Sequence, residues 1–411
     1  MKGKIAATLF LALAVSNSVY AGETAKLGEG IAILNFFEGQ TEDIYKFAKG
    51  YVLKTQDGLL EQENKDTLSL AYPTGMENVT VWQATEESEH YCNGVCIAEF
   101  QGKLYCQWQS SAVDEDAPDT HICYAVSEDK GKSWSEAKKL PVNIEGGYTS
   151  SAGWYSTGDR LVAYINFWPD NISPRGGFTY YVDSADGESW SEPKPVTMAD
   201  GTVLDAVFEQ DPHVFPNGRI VNAAHFQKGL MVCPIYTDNK DGVTGWKKGN
   251  FTPTDSGDTS REMEPSLFQR KDGTLVMIFR DQDSSYTKKA AFSNDMGENW
   301  SEVTDTAVPD ARTKQSAGNL SNGKAFMVGS PVDNKLRSPL AILLSDEGML
   351  FDKAYLIRSD ASDPEVVYEG KAKRKGFHYA KSFVYDGKVY VGYATNKEAV
   401  EIAIIPEESL E

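Results

Sequence analysis

The sequence predicts an all-β protein folded as a β-propeller with six or seven blades. Three observations support this fold class. One short turn sequence recurs along the chain, its copies follow at a nearly constant interval, and strand-like alternation replaces long helical periodicity. A repeat of about fifty residues built from strands and turns is typical of a propeller, in which each repeat forms one blade.

The recurring turn begins with Ser, continues through Asp and Gly, and closes on Trp. Short Ser and Asp side chains hydrogen-bond nearby backbone, and Gly tolerates positive φ, so each copy predicts a tight turn. The Trp is large enough to fill the space between neighbouring sheets. Full copies are Ser127–Trp134, Ser184–Trp190 and Ser293–Trp300, and weaker ones are Tyr236–Trp246 and Ser345–Phe351. Their starts are separated by 57, 52, 57 and 52 residues.

The chain divides into three predicted parts. Residues 1–21 are predicted to be a signal peptide, because Lys2 and Lys4 precede the apolar run Ile5–Val15 and small residues precede Gly22. We therefore expect a secreted or periplasmic protein without a membrane span. Residues 22–85 are expected to hold strands that close the ring or form an extra blade, and residues 86–411 the propeller. The blades are predicted near 86–140, 145–198, 204–250, 262–308, 312–358 and 376–406.

Charge and composition restrict the partners. The formal net charge of −20 argues against nucleic acid and anionic membranes. An acidic substrate would have to be held by a local cluster of arginines. Spacings typical of metal sites are absent, so we predict neither a metal nor another cofactor. The five cysteines allow one local disulfide within the first blade, whose pairing the sequence does not fix.

The recurring turn resembles the Asp-box of the sialidase (neuraminidase) superfamily, and the resemblance extends over roughly residues 86–406. In that family the box lies at a hairpin on the rim of each blade, away from the substrate. The resemblance therefore implies a sialidase-like propeller fold, and the chemistry has to come from other residues.

Three segments resemble catalytic segments of sialidases. Glu264, followed by a hairpin turn and Arg280, is similar to the segment that carries the catalytic base and one arginine of a triad that binds the substrate carboxylate. Arg337, shortly before a weaker Asp-box, resembles another arginine of the triad. Tyr379 resembles the nucleophile, for which Glu264 would be the base. A Tyr nucleophile suits an anomeric carbon whose neighbouring carboxylate would repel a carboxylate nucleophile.

The first blade departs from the sialidase pattern. Sialidases begin this blade with Tyr-Arg-Ile-Pro, whereas here Cys92 stands where the first arginine of the triad is expected. The general acid of the family is an Asp about twenty-five residues later. Of Asp114, Asp116 and Asp119 we assign this role to Asp116. The missing arginine weakens the case for sialic acid itself, although not for another acidic glycan.

His90 supports an alternative. The segment resembles the start of the first blade in propeller-type ulvan lyases and rhamnosidases, which have a catalytic His there. β-Elimination from a uronate needs a base, an acid and a cation, and His90, Tyr155 and Arg175 are the candidates. His213, at the start of an inner strand of the third blade, is a further candidate for substrate binding.

These observations lead to one prediction and two alternatives. We predict a sialidase-like exo-glycoside hydrolase acting on an acidic oligosaccharide or polysaccharide. The first alternative is a uronate lyase or rhamnosidase that uses His90. The second is a non-catalytic propeller that binds glycans, because a missing arginine is also expected of an enzyme that has lost its activity.

Overall fold

The computed structural model describes residues 46–47, 50–51, 53–254, 257–359 and 365–411. The predicted signal peptide, residues 1–21, lies outside these residues. The described chain is almost entirely β-structure, with one short 3-10 helix at Glu407–Leu410. In this part of the chain no helix has the length and apolar character needed to cross a bilayer.

Six antiparallel sheets of at least four strands follow one another along the chain. The first three blades comprise β5–β8 (Tyr91–Phe100, Lys103–Ser111, His121–Ser127, Lys138–Lys139), β9–β12 (Gly147–Ser156, Leu161–Pro169, Phe178–Ser184, Lys194–Pro195) and β13–β17 (Ala206–Phe208, His213–Val214, Ile220–Phe226, Met231–Thr237, Lys247–Lys248). The fourth and fifth comprise β18–β21 (Glu262–Gln269, Leu275–Asp281, Thr287–Ser293, Thr304–Pro309) and β22, β23, β24 and β26 (Ser316–Asn319, Ala325–Gly329, Leu340–Ser345, Lys353–Arg358).

The sixth blade combines both ends of the described chain. It comprises β27–β29 (Phe377–Tyr385, Lys388–Thr395, Ala399–Pro406), and β4 (Glu77–Gln83) pairs with β29 as its outer strand. Strand β4 thereby ties the N-terminal segment to the C-terminal blade. Successive blades contact one another around the ring, mostly through their innermost strands, and β27 contacts β5. The predicted propeller fold is confirmed.

Three short strands precede β4. Strands β1 (Lys46–Phe47) and β2 (Gly50–Tyr51) form a two-stranded ladder. Strand β3 (Lys54–Thr55) pairs in parallel with β21 and with β25 (Leu350–Phe351). It therefore joins the outer edges of the fourth and fifth blades.

Each full Asp-box is closed by its own side chains. In the second box the hydroxyl of Ser184 donates to Asp186, which accepts from the backbone of Ser189 at 2.7 Å, while Gly187 N–H donates to the Ser184 hydroxyl at 2.8 Å. Gly187 has φ +74°, and a Cβ there would lie 1.9 Å from Tyr105 Oη, so only Gly fits. In the first box the bonds from Ser133, foremost among them its hydroxyl, lower the pKa of Asp129 to about 2.

The apolar residues form clusters between neighbouring blades. Trp246 is fully buried in a cluster that joins the second and third blades, and Trp190 packs on a cluster between the first and second. All five cysteines are free thiols. The local disulfide considered from the sequence is therefore not formed.

Candidate active site

Two non-glycine residues on inner strands adopt left-handed backbone conformations. Glu264 in β18 has φ +48° and Tyr379 in β27 has φ +54°. Each lies where the pairing with the next strand shifts register, so the backbone bulges. Such conformations cost of order 1–3 kcal/mol and cluster at functional sites, where a bulge redirects a side chain. Both residues lie near the beginning of their strand, at the same mouth of the ring.

Arg280 joins these two residues. It lies near the end of β19, and its Nη1 is 2.7 Å from Oε2 of Glu264. Its Nη2 donates to Oε1 of Gln282 at 3.0 Å. Burial alone would lower the pKa of Arg280, but Glu264, followed by Tyr379, raises it. Glu264 and Arg280 therefore form a buried ion pair next to the Tyr379 phenol.

The Tyr379 phenol is held in its protonated form. Burial first, and the nearby carboxylate of Glu264 second, raise its pKa above the ordinary value. Three cations lie around the ring, at 5.0 Å for Arg337, 5.1 Å for Lys314 and 5.6 Å for Lys397 from the ring centroid. A phenolate or a bound anion at this position would be stabilised by all three.

Arg337 is buried beside Tyr379 and faces an imidazole. Only 4% of the residue is exposed, and its Nη1 lies 2.8 Å from Nδ1 of His378. Because Nε2 of His378 bonds the carbonyl of Arg374 at 2.9 Å, Nε2 carries the proton and Nδ1 accepts from Arg337. Burial, followed by the positive charge of Arg337, keeps the pKa of His378 well below its usual value. The imidazole is therefore neutral and does not compensate the guanidinium.

Two lysines at this mouth are each paired with a carboxylate. Nζ of Lys314 lies 2.5 Å from Oε2 of Glu209, and Nζ of Lys397 lies 2.7 Å from Oε1 of Glu115. Burial alone would raise the pKa of both carboxyl groups, but the neighbouring lysine lowers it in each case. Both carboxylates therefore stay ionised. Glu115 also accepts from the Tyr91 hydroxyl at 3.0 Å.

The local charge is positive although the whole chain is strongly acidic. Five cationic side chains surround Tyr379: Arg280, Arg337, Lys314, Lys397 and Arg374. Three carboxylates balance three of them, those of Glu264, Glu209 and Glu115. Among the residues that the structure describes, none forms a salt bridge with Arg337 or Arg374. These two guanidinium groups therefore have no directly paired carboxylate there, although Glu115 lies close enough to act on both.

Asp116 lies at the edge of this region in a separate ion pair. Both its carboxylate oxygens accept from Arg175 at 2.9 Å, and Arg175 also donates to the Tyr148 hydroxyl at 2.6 Å and stacks 4.2 Å from the Trp168 ring centroid. The adjacent Glu115 contacts the central cluster through Lys397. The loop therefore turns one acid toward the centre and the other toward Arg175.

The remaining predicted residues are not brought together. His90 stacks on Tyr368 with ring centroids 4.0 Å apart, and its Nε2 is buried without a hydrogen-bond partner among the described residues. The Tyr155 hydroxyl donates to the Lys240 carbonyl at 2.9 Å, whereas Arg175 binds Asp116. The structure therefore does not support the expectation that His90, Tyr155 and Arg175 form one catalytic group.

Tyr155 and His213 lie at the opposite mouth of the ring. They line a cavity of about 650 Å³ formed by the later parts of the inner strands. Burial lowers the pKa of His213 to about 4, so it is neutral there. His213, the further candidate for substrate binding, does not lie beside Arg280 and Arg337. The inner strand of its blade is interrupted between Phe208 and His213, and Glu209 from that interruption faces Lys314.

Sequence reasoning missed several residues of this cluster. Glu115 lies in the acidic loop that contains Asp114 and Asp116, and Arg374 lies in the basic run shortly before Tyr379. In both cases the run of charged residues in the sequence could have indicated the functional residue. For Glu209, Lys314 and Lys397 no motif marks the position, because they meet Tyr379 only through the closure of the ring.

One group of possible metal ligands lies on the first blade. His121 Nε2 is 3.2 Å from Oε1 of Glu89, and Cys123 Sγ is close to both. His121 Nδ1 bonds the Asp119 carbonyl at 3.0 Å. Both ring nitrogens of His121 therefore contact protein oxygen atoms, and this group needs no metal.

Comparisons with known proteins agree with this fold. The model of the BNR repeat-like domain matches residues 102–391. The structure of a Dyadobacter fermentans protein of unknown function is similar, with a TM-score of 0.62 and 15% sequence identity. The alignment covers 80% of this chain and 99% of the Dyadobacter chain. Trypanosoma rangeli sialidase in complex with sialic acid has a TM-score of 0.58 and 15% identity, covering 83% of this chain, which spans 60% of that protein.

A third solved structure is of similar length. This structure is the intramolecular trans-sialidase from Ruminococcus gnavus in complex with oseltamivir carboxylate, with a TM-score of 0.58 and 12% sequence identity. The alignment covers 82% of this chain and 98% of the Ruminococcus chain. Identities this low indicate a shared fold and no more. A comparison with curated proteins gives no match.

Proposed function

Because the chain belongs to the family of the BNR repeat-like domain, we propose that it is an exported glycoside hydrolase of sialidase type that removes an acidic sugar from a glycan. The observation that carries the proposal is Arg337, which is buried beside Tyr379 without a carboxylate partner in the described chain. Burying an unpaired charge costs several kcal/mol. An anionic substrate group would compensate this charge.

The proposed first step forms a covalent bond to Tyr379. Its phenol oxygen attacks the anomeric carbon while Glu264 accepts the phenol proton, and the bond to the leaving oxygen breaks as that oxygen takes a proton from an acid. Arg280 holds the Glu264 carboxylate in place. In the second step water attacks the anomeric carbon, gives its proton to the conjugate base of the acid, and releases Tyr379, which regains its proton from Glu264.

Asp116 is the proposed acid. In the free protein both its carboxylate oxygens accept hydrogen bonds from Arg175. Acid catalysis by Asp116 therefore requires the substrate to displace Arg175 from at least one oxygen. Since two displacements occur at the same carbon, the released sugar keeps its anomeric configuration.

The lyase or rhamnosidase alternative has less support. Its three candidate residues are separated, and Tyr155 lies at the other mouth. The proposed function and this alternative differ in their products, because a lyase leaves an unsaturated uronate that absorbs ultraviolet light, whereas a hydrolase does not.

The proposal predicts a defined product from acidic glycans. Purified protein incubated with sialylated and uronate-containing glycans should release an acidic monosaccharide without a gain in ultraviolet absorbance, and NMR of the first product should show retained configuration. Neutral glycans serve as the control and should remain intact. A gain in absorbance would favour the lyase, and binding to the acidic glycans without any product would favour the non-catalytic alternative.

A further inference from the structure

Arg374 is the second guanidinium at this mouth that forms no salt bridge with a described carboxylate. It lies in the segment before β27, and its side chain is exposed. No carboxylate in the described ranges forms a salt bridge with it, in contrast to Arg280, Lys314 and Lys397. Its charge is therefore available to a ligand.

One imidazole fixes Arg374 relative to Arg337. Nε2–H of His378 donates to the carbonyl of Arg374 at 2.9 Å, and Nδ1 accepts from Arg337 at 2.8 Å. The backbone of the following segment is anchored as well, because Phe377 N–H donates to the Arg337 carbonyl at 2.7 Å. The backbone at Arg374 is therefore anchored to the same imidazole that accepts from the Arg337 guanidinium.

The charges of Arg337 and Arg374 act on each other. Partial burial first, and the guanidinium of Arg337 second, lower the pKa of Arg374, whereas Tyr379 and Glu115 act in the opposite direction. Two like charges near each other, neither in a salt bridge with a described carboxylate, form an arrangement that an anion stabilises, and two guanidinium groups can bind a carboxylate through charge-assisted hydrogen bonds.

We propose that Arg337 and Arg374 together bind the carboxylate of the acidic sugar, so that Arg374 takes the place of the arginine that the first blade lacks. This inference rests on the proposed function and changes its binding site. Cys92 cannot contribute, because its side chain is fully buried in an apolar cluster. Arg280 positions Glu264 rather than holding the substrate, since Glu264 already binds it.

Lys397 is the other possible substitute for the missing arginine. Its carbonyl accepts from the Cys92 backbone at 2.9 Å, so it lies directly against that position. Its ammonium, however, is paired with Glu115 at 2.7 Å and is 1% exposed. An ammonium already neutralised by a buried carboxylate offers a ligand little additional binding, which favours Arg374.

Binding without turnover tests this inference. We would measure the dissociation constants of sialic acid, glucuronic acid and galactose by calorimetry on the Tyr379→Phe variant, alone and combined with Arg374→Ala, Arg374→Lys or Lys371→Ala. Arg374→Ala is expected to raise the dissociation constant of the tighter-binding acidic sugar about 10- to 100-fold, which is the size expected for the loss of a hydrogen bond to a charged group. Arg374→Lys should restore part of this loss, because it keeps the charge without the planar fork.

Lys371→Ala is the matched control, because it removes an exposed positive charge from the same segment. Its dissociation constants should stay within about twofold, since an exposed charge without a bound partner contributes little. An unchanged constant for Arg374→Ala, or an equal loss for Lys371→Ala, would overturn the role of Arg374 and leave the proposed function intact. Failure of the parent variant to bind either acidic sugar would overturn both. If acidic sugars bound in a way that depends on Arg374 but the protein released no sugar, the role of Arg374 would be supported and the proposed hydrolase activity would be rejected.

Discussion

Replacing Tyr379 by Phe is expected to lower the turnover of an acidic glycan at least about 10³-fold, because it removes the proposed nucleophile. The ring itself should stay in place, since the backbone bulge and the Arg337 guanidinium over the ring do not depend on the hydroxyl. The measurement is steady-state release of the acidic sugar, with thermal unfolding to verify that the variant is folded.

Two further variants make this result specific. Tyr155→Phe removes a hydroxyl that donates to a backbone carbonyl at the opposite mouth, and turnover should not change. His90→Ala removes a ring stacked on Tyr368 and should have a much smaller effect than Tyr379→Phe. The hydrolase mechanism would be wrong if Tyr379→Phe kept its activity while His90→Ala lost it.

Arg337→Met should abolish binding of the acidic sugar and at the same time stabilise the protein. Burying an unpaired guanidinium costs several kcal/mol, whereas leaving Nδ1 of His378 without a donor costs about 1–3 kcal/mol. We therefore expect the free energy of unfolding to rise by about 1 kcal/mol or more, although affinity for the acidic sugar falls about 100-fold or more. Chemical denaturation and calorimetry measure the two effects separately.

Arg280→Met is the matched control for stability. This arginine is also buried, but its removal leaves the Glu264 carboxylate unpaired. Breaking a buried ion pair in this way costs about 3–5 kcal/mol, so this variant should be destabilised. If Arg337→Met were destabilised to the same extent, Arg337 would have a structural role. Its burial would then no longer support an anion-binding site.

The fold could be predicted from the sequence because its information is local and repeated. Each Asp-box contains in a few residues both its hydrogen-bond donors and its acceptors, as Ser184, Asp186 and Gly187 illustrate. The closing Trp then packs between blades. Five copies at a nearly constant interval therefore indicated the propeller before any contact between blades was known.

Part of the site could also be predicted, because Glu264, Arg280, Arg337 and Tyr379 lie in segments with a recognisable pattern. The charge balance of these residues could not be predicted from the sequence, because it depends on Glu209, Glu115 and Lys397, which lie in other segments of the chain. The sequence paired Arg280 with Arg337 as a clamp. The structure instead places Arg280 on Glu264 and leaves Arg337 without a carboxylate partner in the described residues.

The most direct test is a crystal structure of the Tyr379→Phe variant with the acidic sugar that binds best. The account predicts that the sugar carboxylate accepts hydrogen bonds from the Arg337 guanidinium, with the anomeric carbon facing residue 379. A sugar bound at the opposite mouth beside Tyr155 and His213, or one whose carboxylate makes no contact with Arg337, would contradict it.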